Sequence, residues 1–323
     1  MNRTAVIIAA ACICASPAAL AQNYPNQPIR IVSQFRAGSG GDSLLRVFGE
    51  ALSKVAGRPV VAENKPGGGG MTATVHVANS AEPDGYTLLG ATPGPIVTHR
   101  FLTKKNPLDP LKVLKPISRV GEVLITFGVN PKRVPVQSFK EFLDYVKQHP
   151  RKVSYGTSGI GSPHHLSGEE LKQILGVQMI HVPYKSTSRA LLDCVGGQLD
   201  STFTLYAVAI PHIESGKFKI LAARSDKRAK QLPDVPTVTE IVPEFQNPPG
   251  WTGLFVPIKT PDAIVKRLNS LVVKALASPE IDKKLGRTGF EATPDTPEQF
   301  AALIDKQIKL VDSIVKKAGI KPR

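Results

Sequence analysis

Two glycine-rich turns carry the residues best suited to chemistry. The first runs Phe35-Arg36-Ala37-Gly38-Ser39-Gly40-Gly41-Asp42. It follows the β-branched residues Ile29, Ile31 and Val32 and precedes Leu44, Leu45, Phe48, Leu52 and Val55 at helical spacing. Glycine lets the backbone approach a ligand closely. A helix N-terminus presents N–H groups without helical acceptors and a partial positive charge, so such a turn is ready to hold an anion. The second turn, Thr157-Ser158-Gly159-Ile160-Gly161-Ser162-Pro163-His164, has the same form, with Ser162 placed as an N-cap and Pro163 as the first helical residue. Two anion turns, each opening a helix, predict two lobes closing on one anionic ligand.

Catalytic constellations are sparse. His164 and His165 are adjacent, so their side chains diverge on a helix and suit a shared metal poorly. The chain lacks His-x-x-x-His, Cys-x-x-Cys, a Gly-x-Ser-x-Gly nucleophile turn and a phosphate-binding Gly-x-x-x-x-Gly-Lys-Ser/Thr loop. A Ser158–His164 pair is the nearest approach to a nucleophile and its base. The competing enzyme reading is a secreted, Rossmann-like dinucleotide-binding oxidoreductase. Gly38-x-Gly40-x-x-Ser43 approximates the dinucleotide fingerprint, and Glu63 lies 20 residues after Ser43, where a ribose-binding acid belongs. Ser43 in place of the third glycine weighs against it, and so does an export signal.

That signal is Arg3 followed by the apolar run 5–15 and the small-x-small site Ala19-Leu20-Ala21. It predicts a signal peptide over 1–21 and a periplasmic protein beginning near Gln22. Cys12 and Cys14 leave with the signal, and Cys194 reads as a buried small hydrophobe. The 323-residue chain carries a net charge of +15. Its lysines and arginines are dispersed and aromatics are 6% of residues, which points to a basic surface favouring anionic ligands and away from nucleic acid.

Strand-like and helix-like stretches alternate along the chain, predicting an α/β protein with parallel-rich sheets flanked by helices. Ligands in such sheets collect at strand carboxyl ends, where both turns and a third loop, Ala91-Thr92-Pro93-Gly94-Pro95, are located. Residues 117–129 form one extended stretch or two. The expected lobes are 22–122 with 225–323, and 123–224, crossed near Glu122 and Ala223.

Further ordered motifs join the first turn. They include Glu63-Asn64-Lys65-Pro66-Gly67-x-Gly69-Gly70, Pro83-Asp84-Gly85-Tyr86-Thr87 and Ser158-Gly159-x-Gly161-Ser162-x-x-His165. His181-Val182-Pro183-Tyr184-Lys185, Gly196-Gly197-Gln198-Leu199-Asp200, Leu232-Pro233-Asp234-Val235-Pro236-Thr237 and Trp251-x-Gly253-Leu254 follow. Together they resemble the Bug family, periplasmic solute receptors of tripartite tricarboxylate transporters. The resemblance implies a two-lobed, type II-like Venus flytrap. It implies a receptor rather than an enzyme, which hands a small carboxylate to membrane permease subunits; the two anion turns, the export signal and the sparse catalytic constellations add the expectation of a monomeric, cofactor-free protein that binds a mono- or dicarboxylate. By position it assigns ligand binding to Phe35, Arg36, Ala37, Gly38, Ser39, Gly40, Gly41 and Asp42, and to Thr157, Ser158, Gly159, Gly161 and Ser162. Thr92, His164 and Thr204 complete the expected cleft.

The chain departs from the family pattern at several points. Arg36 and Ala37 replace two prolines, Thr204 stands where an acid is frequent, and Ser186 and Arg189 replace a glycine and a proline. Arg36 is positioned for a paired contact with a carboxylate or for plain solvation. Quieter readings place Phe35 under its loop, Asp42 as a helix cap, His165 as a structural hydrogen-bond donor and Trp251 in core or hinge packing.

Overall fold

In a computed structural model of the chain, residues 24–104, 108–225, 227–248, 250–287 and 289–322 are described. The signal segment 1–21, its cleavage site, Cys12 and Cys14 lie outside the described residues.

Two sheets form the frame. In the first, β1 (Ile29–Ser33) lies between β2 (Val60–Asn64) and β3 (Thr87–Ala91), parallel to both. To β3 are added β10 (Trp251–Pro257), β4 (Leu114–Val123) and the edge strand β11 (Phe290–Ala292), all by antiparallel pairing. The second sheet contains β5 (Ile125–Val129), β6 (Ser154–Thr157), β7 (Ile180–Pro183), β8 (Ser201–Leu205) and β9 (Lys219–Arg224). Its order is β7-β6-β8-β5-β9, with β6 parallel to β7 and β8 and with β5 antiparallel to its neighbours.

The sheets are therefore mixed, and parallel pairing is confined to the two halves that carry the glycine turns. A parallel pair needs a crossover element to return the chain. β4, β5 and β10 enter or leave their sheets at the crossings between them, so they run against their neighbours. The extended stretch over 117–129 is two strands in different sheets, separated by Leu124 alone. Leu124 is held from both sides: its N–H donates to Gly289 O at 3.0 Å, and its carbonyl accepts Tyr206 N–H at 3.0 Å. The return path is longer. Thr237 bridges to Ala223, and Val238, Val242 and Phe245 pack into the core of the second sheet. The segment after β9 thus stays with that sheet until the chain reaches Gly250 and Trp251.

Among the described residues, nine principal helices cover the sheets. The first six are α1 (Gly40–Ala56), α2 (Met71–Ser80), α3 (Phe139–Gln148), α4 (Pro163–Leu175), α5 (Thr187–Val195) and α6 (Tyr206–Glu214). α7 (Asp262–Leu276), α8 (Pro279–Arg287) and α9 (Pro297–Lys317) follow. Leu44, Leu45, Phe48 and Leu52 of α1 share a core with Leu268, Leu271 and Val272 of α7. Ser39 caps α1 by accepting Asp42 N–H, and Gly57 ends it in the left-handed region. Thr296 and Gln299 open α9 with a reciprocal capping box. Trp251 is 1% exposed, packs edge-on to Phe300 and donates its indole N–H to Gln307 at 2.7 Å, so it is a core residue of the first sheet's side.

Candidate carboxylate-binding cleft

The turn between β1 and α1 is fastened from the strand beside it. Asp42 Oδ2 accepts Gly38 N–H at 2.9 Å and Arg46 Nε at 3.0 Å, while Oδ1 accepts Asn64 Nδ2 at 2.7 Å. Asn64 Nδ2 also donates to Phe35 O at 3.1 Å. Burial alone would raise the Asp42 carboxyl, but the Arg46, Asn64 and Gly38 donors outweigh it and hold the group below its ordinary range. The acid therefore shapes the turn. The N–H groups of Gly40 and Gly41, at the start of α1, have no helical acceptors of their own. Phe35 packs its ring over Gly41, where any Cβ would overlap the ring.

Three histidines fasten the second turn. His164 Nδ1 lies 3.0 Å from Ser158 Oγ, and His181 Nε2 lies 2.7 Å from Thr157 Oγ1. His165 Nδ1 accepts the N–H of Gly161 at 3.0 Å. A backbone N–H can only donate, so His165 is an acceptor here rather than the donor expected. Its neutral form then carries the proton on Nε2, 3.7 Å from Glu169 Oε1. The rings of His165 and His181 stack at 4.0 Å. Burial, then the Arg224 cation, pushes His164 down to about 3. Burial, then His165, pushes His181 down to about 4. Gly161 sits at φ +76°, and a Cβ there would overlap Leu102.

The third loop is clamped by Gln34. Its Nε2 donates to Thr92 Oγ1 at 2.8 Å, and its Oε1 accepts Thr92 N–H at 3.1 Å.

The three loops converge on a cleft of about 770 Å³ between the sheets. It brings together Phe35, Gly38, Gly40, Gly41 and Thr92 from one side with Ser158, Gly161, Ser162 and His164 from the other. Other expected residues lie outside its lining. Arg36 and Ala37 are exposed and are not among the lining residues. Ser39 and Asp42 serve the helix cap and the turn. Thr157 is buried against His181, and Gly159 accepts Ser162 N–H within its own turn. Thr204 is fully buried in β8, with its carbonyl accepting Thr126 Oγ1 at 3.3 Å. Successive strand residues face opposite ways, and it is Leu205 that lines the cleft.

Sequence reasoning missed Gln34, Ser43, Thr98, Ser188, Thr252 and Phe290. Gln34 adjoins the turn and was open to notice. Phe290 belongs to a three-residue strand with no periodicity to betray it.

Chemically the cleft presents backbone N–H groups and hydroxyls. The Ser158–His164 pair lacks what a nucleophile needs. A base that low in pKa takes up a proton poorly at neutral pH, and Nε2 has no hydrogen-bond partner to orient the ring among the described residues. No group of three or more His, Cys, Asp or Glu is placed to hold a metal among the described residues. Glu63, on which the dinucleotide reading depends, is outside the lining and pairs with Lys65 at 2.8 Å and Arg30 at 3.4 Å.

Residues 44–320 match the family model of the tripartite tricarboxylate transporter family receptor. Protein BugT of Bordetella pertussis is 31% identical over 93% of this chain and 92% of its own. A Rhodopseudomonas palustris protein solved with adipate is 31% identical, covers 93% of this chain and 100% of its own, and superposes with a TM-score of 0.77. MatC of the same organism, solved with bound malate, is 29% identical over 90% of this chain and 100% of its own, with a TM-score of 0.71. Two lobes, two helix-opening glycine turns and a match spanning nearly the whole described chain give one conclusion: the chain belongs to the tripartite tricarboxylate transporter receptor family, among the Bug receptors.

Proposed function

We propose that this chain is a periplasmic receptor that captures a small organic carboxylate between its lobes and delivers it to a tripartite tricarboxylate-type permease. It acts as a cofactor-free monomer without turnover, after cleavage of residues 1–21. The observation that carries this reading is the convergence of two helix N-termini, one from each sheet, on a single cleft. The adipate and malate found in the two relatives support a carboxylate as ligand.

We assign the lobes as 22–122 with 225–323, and 123–224, with one change: Val238, Val242 and Phe245 pack in the second sheet's core, so the return crossing is placed near Gly250. Contacts to both lobes stabilise the closed form by differential affinity.

Calorimetry against a panel of organic acids, beside a nicotinamide dinucleotide, tests the reading. Acids bind and are recovered unchanged, and the dinucleotide gives no heat of binding. Small-angle scattering shows a smaller radius of gyration at saturation. Dinucleotide binding without acid binding, or conversion of a bound acid, rejects it.

A further inference from the structure

A buried cation stands behind the cleft wall. Arg224, the last residue of β9, is 4% exposed. Its Nη1 donates to Asn247 Oδ1 at 3.0 Å and to Pro248 O. Its Nη2 lies against Gly250, where a Cβ would stand 2.4 Å from it. Gly250 and Val123, one on each crossing between the sheets, line both the cleft and a smaller cavity of about 120 Å³ to which Arg224 belongs. The charge of Arg224 reaches the cleft. After burial, it is what pushes His164, at the start of α4, down to about 3. A field that disfavours a proton there favours an anion in the same place. Salt screens a buried charge far less than a surface one.

One acid shares this field. Glu170 of α4 is 4% exposed, its Oε1 accepts Gln246 N–H at 2.8 Å, and its Oε2 has no hydrogen-bond partner among the described residues. Burial pushes it up to about 7, against the Gln246 donor and the Arg224 cation. The other charges nearby are Arg119 and Glu122 of β4 and Lys306 of α9, which line the small cavity with Arg224 and Gln246. Arg119 is paired with Glu122 and Asp295, and Lys306 is exposed. Residues 246–250 bring no charged side chain. Within α4, Glu169 is taken up by Lys172 and Tyr155. One guanidinium thus acts both on a cleft residue and on an acid that changes charge near neutrality.

We infer that Arg224 is a positioning residue of the cleft, steadying the bound carboxylate through space from behind Gly250, and that Glu170 competes for its field when ionised, so that capture of the acid is coupled to uptake of a proton at Glu170. This rests on the carboxylate-receptor reading and adds a regulator to it. By reciprocity, an anion that is bound more weakly when Glu170 is ionised must itself favour the protonated form of Glu170.

The test is calorimetry on the exported form of the chain with malate, adipate and hexanoate at pH 6.5 and 8.5, where all three acids are ionised. Each variant is first shown to unfold in a single cooperative transition. The tightest acid binds at least threefold more tightly at pH 6.5 than at pH 8.5. At pH 7, its heats in Pipes and in Tris differ by the amount that proton uptake requires. Glu170→Gln removes both effects. At pH 6.5, Arg224→Met weakens the acid at least tenfold, and Arg224→Lys binds it at least threefold more tightly than Arg224→Met. Binding with a flat pH profile and no proton uptake overturns the inference and leaves the carboxylate receptor standing. So does a pH dependence that persists in Glu170→Gln. Parent-like affinity in Arg224→Met overturns the role of Arg224; if that variant lacks a cooperative transition, Arg224→Lys and the Glu170→Gln profile decide. Absence of binding by all three acids at both pH values overturns both readings.

Discussion

Asp42 and Asn64 are joined at 2.7 Å between carboxylate Oδ1 and amide Nδ2, which ties the start of α1 to the end of β2. The same amide reaches Phe35 O, and Arg46 donates to both side chains. The anion turn is thus held by an adjoining strand, and its shape does not wait for a ligand. Asp42→Ala removes the acceptor of Gly38 N–H and of Arg46 Nε and leaves Asn64 Nδ2 with Phe35 O alone. The expected cost is about 2–3 kcal/mol by urea unfolding, the scale of hydrogen bonds to a charged group. Affinity for the best acid falls with it.

Gly41→Ala places a methyl group into the Phe35 ring. The substitution is expected to cost about 1–3 kcal/mol through overpacking and to weaken ligand binding. In a Phe35→Ala background the same change costs at least ~1 kcal/mol less, because the obstacle is gone. A double-mutant cycle measures the difference.

The histidines predict acid sensitivity. Their folded-state values are depressed, to about 3 for His164 and about 4 for His181, with His165 lowered as well. Below the ordinary histidine value of 6.5 the unfolded chain binds protons that the folded chain refuses, so stability present above 6.5 is lost as pH falls toward 4. His164→Gln is expected to flatten this part of the profile relative to the parent chain, read by urea unfolding at steps between pH 7 and pH 4.5.

Glu170 acts in the opposite sense. Burial pushes it up to about 7, against the Gln246 N–H that it accepts at 2.8 Å and the Arg224 cation, and its Oε2 has no hydrogen-bond partner among the described residues. The folded chain then binds a proton that the unfolded chain releases above 4.5, so this contribution falls as pH rises from 4.5 to 7. Glu170→Gln is expected to raise the thermal midpoint at pH 8 and to change it little at pH 5.

Arg36 is exposed and outside the cleft lining. Arg36→Ala should leave the dissociation constant of the best acid within about threefold, roughly 0.6 kcal/mol, at high salt. A buried paired contact would lose considerably more.

Much of the fold was legible because local chemistry agreed with it. Ser162 before Pro163 marked the start of α4, and the β-branched run Ile29–Val32 marked β1. Both anion turns followed from glycines placed between those patterns. Strand direction was not legible: alternation of strands and helices suggests parallel pairing, and only the path through Leu124 and Trp251 shows which strands run back. The parity of β8 was also hidden. Thr204 and Leu205 differ by one residue, and the pleat alone decides which of them lines the cleft. Hydrogen bonds across many residues, such as Gln34 to Thr92 and His181 to Thr157, have no local signature.

Among the described residues no Asp, Glu, Lys or Arg lines the cleft, in a chain with 41 lysines and arginines against 26 aspartates and glutamates. Arrival and departure of an anion are therefore governed by different physics. The surface field draws it in from a distance, so the association rate falls as ionic strength rises. On the receptor reading, an anion held there by backbone dipoles and hydroxyls leaves without breaking an ion pair to a lining side chain, so its residence time is expected to be nearly indifferent to salt. Such a molecule gathers its cargo by charge and lets go of it by shape.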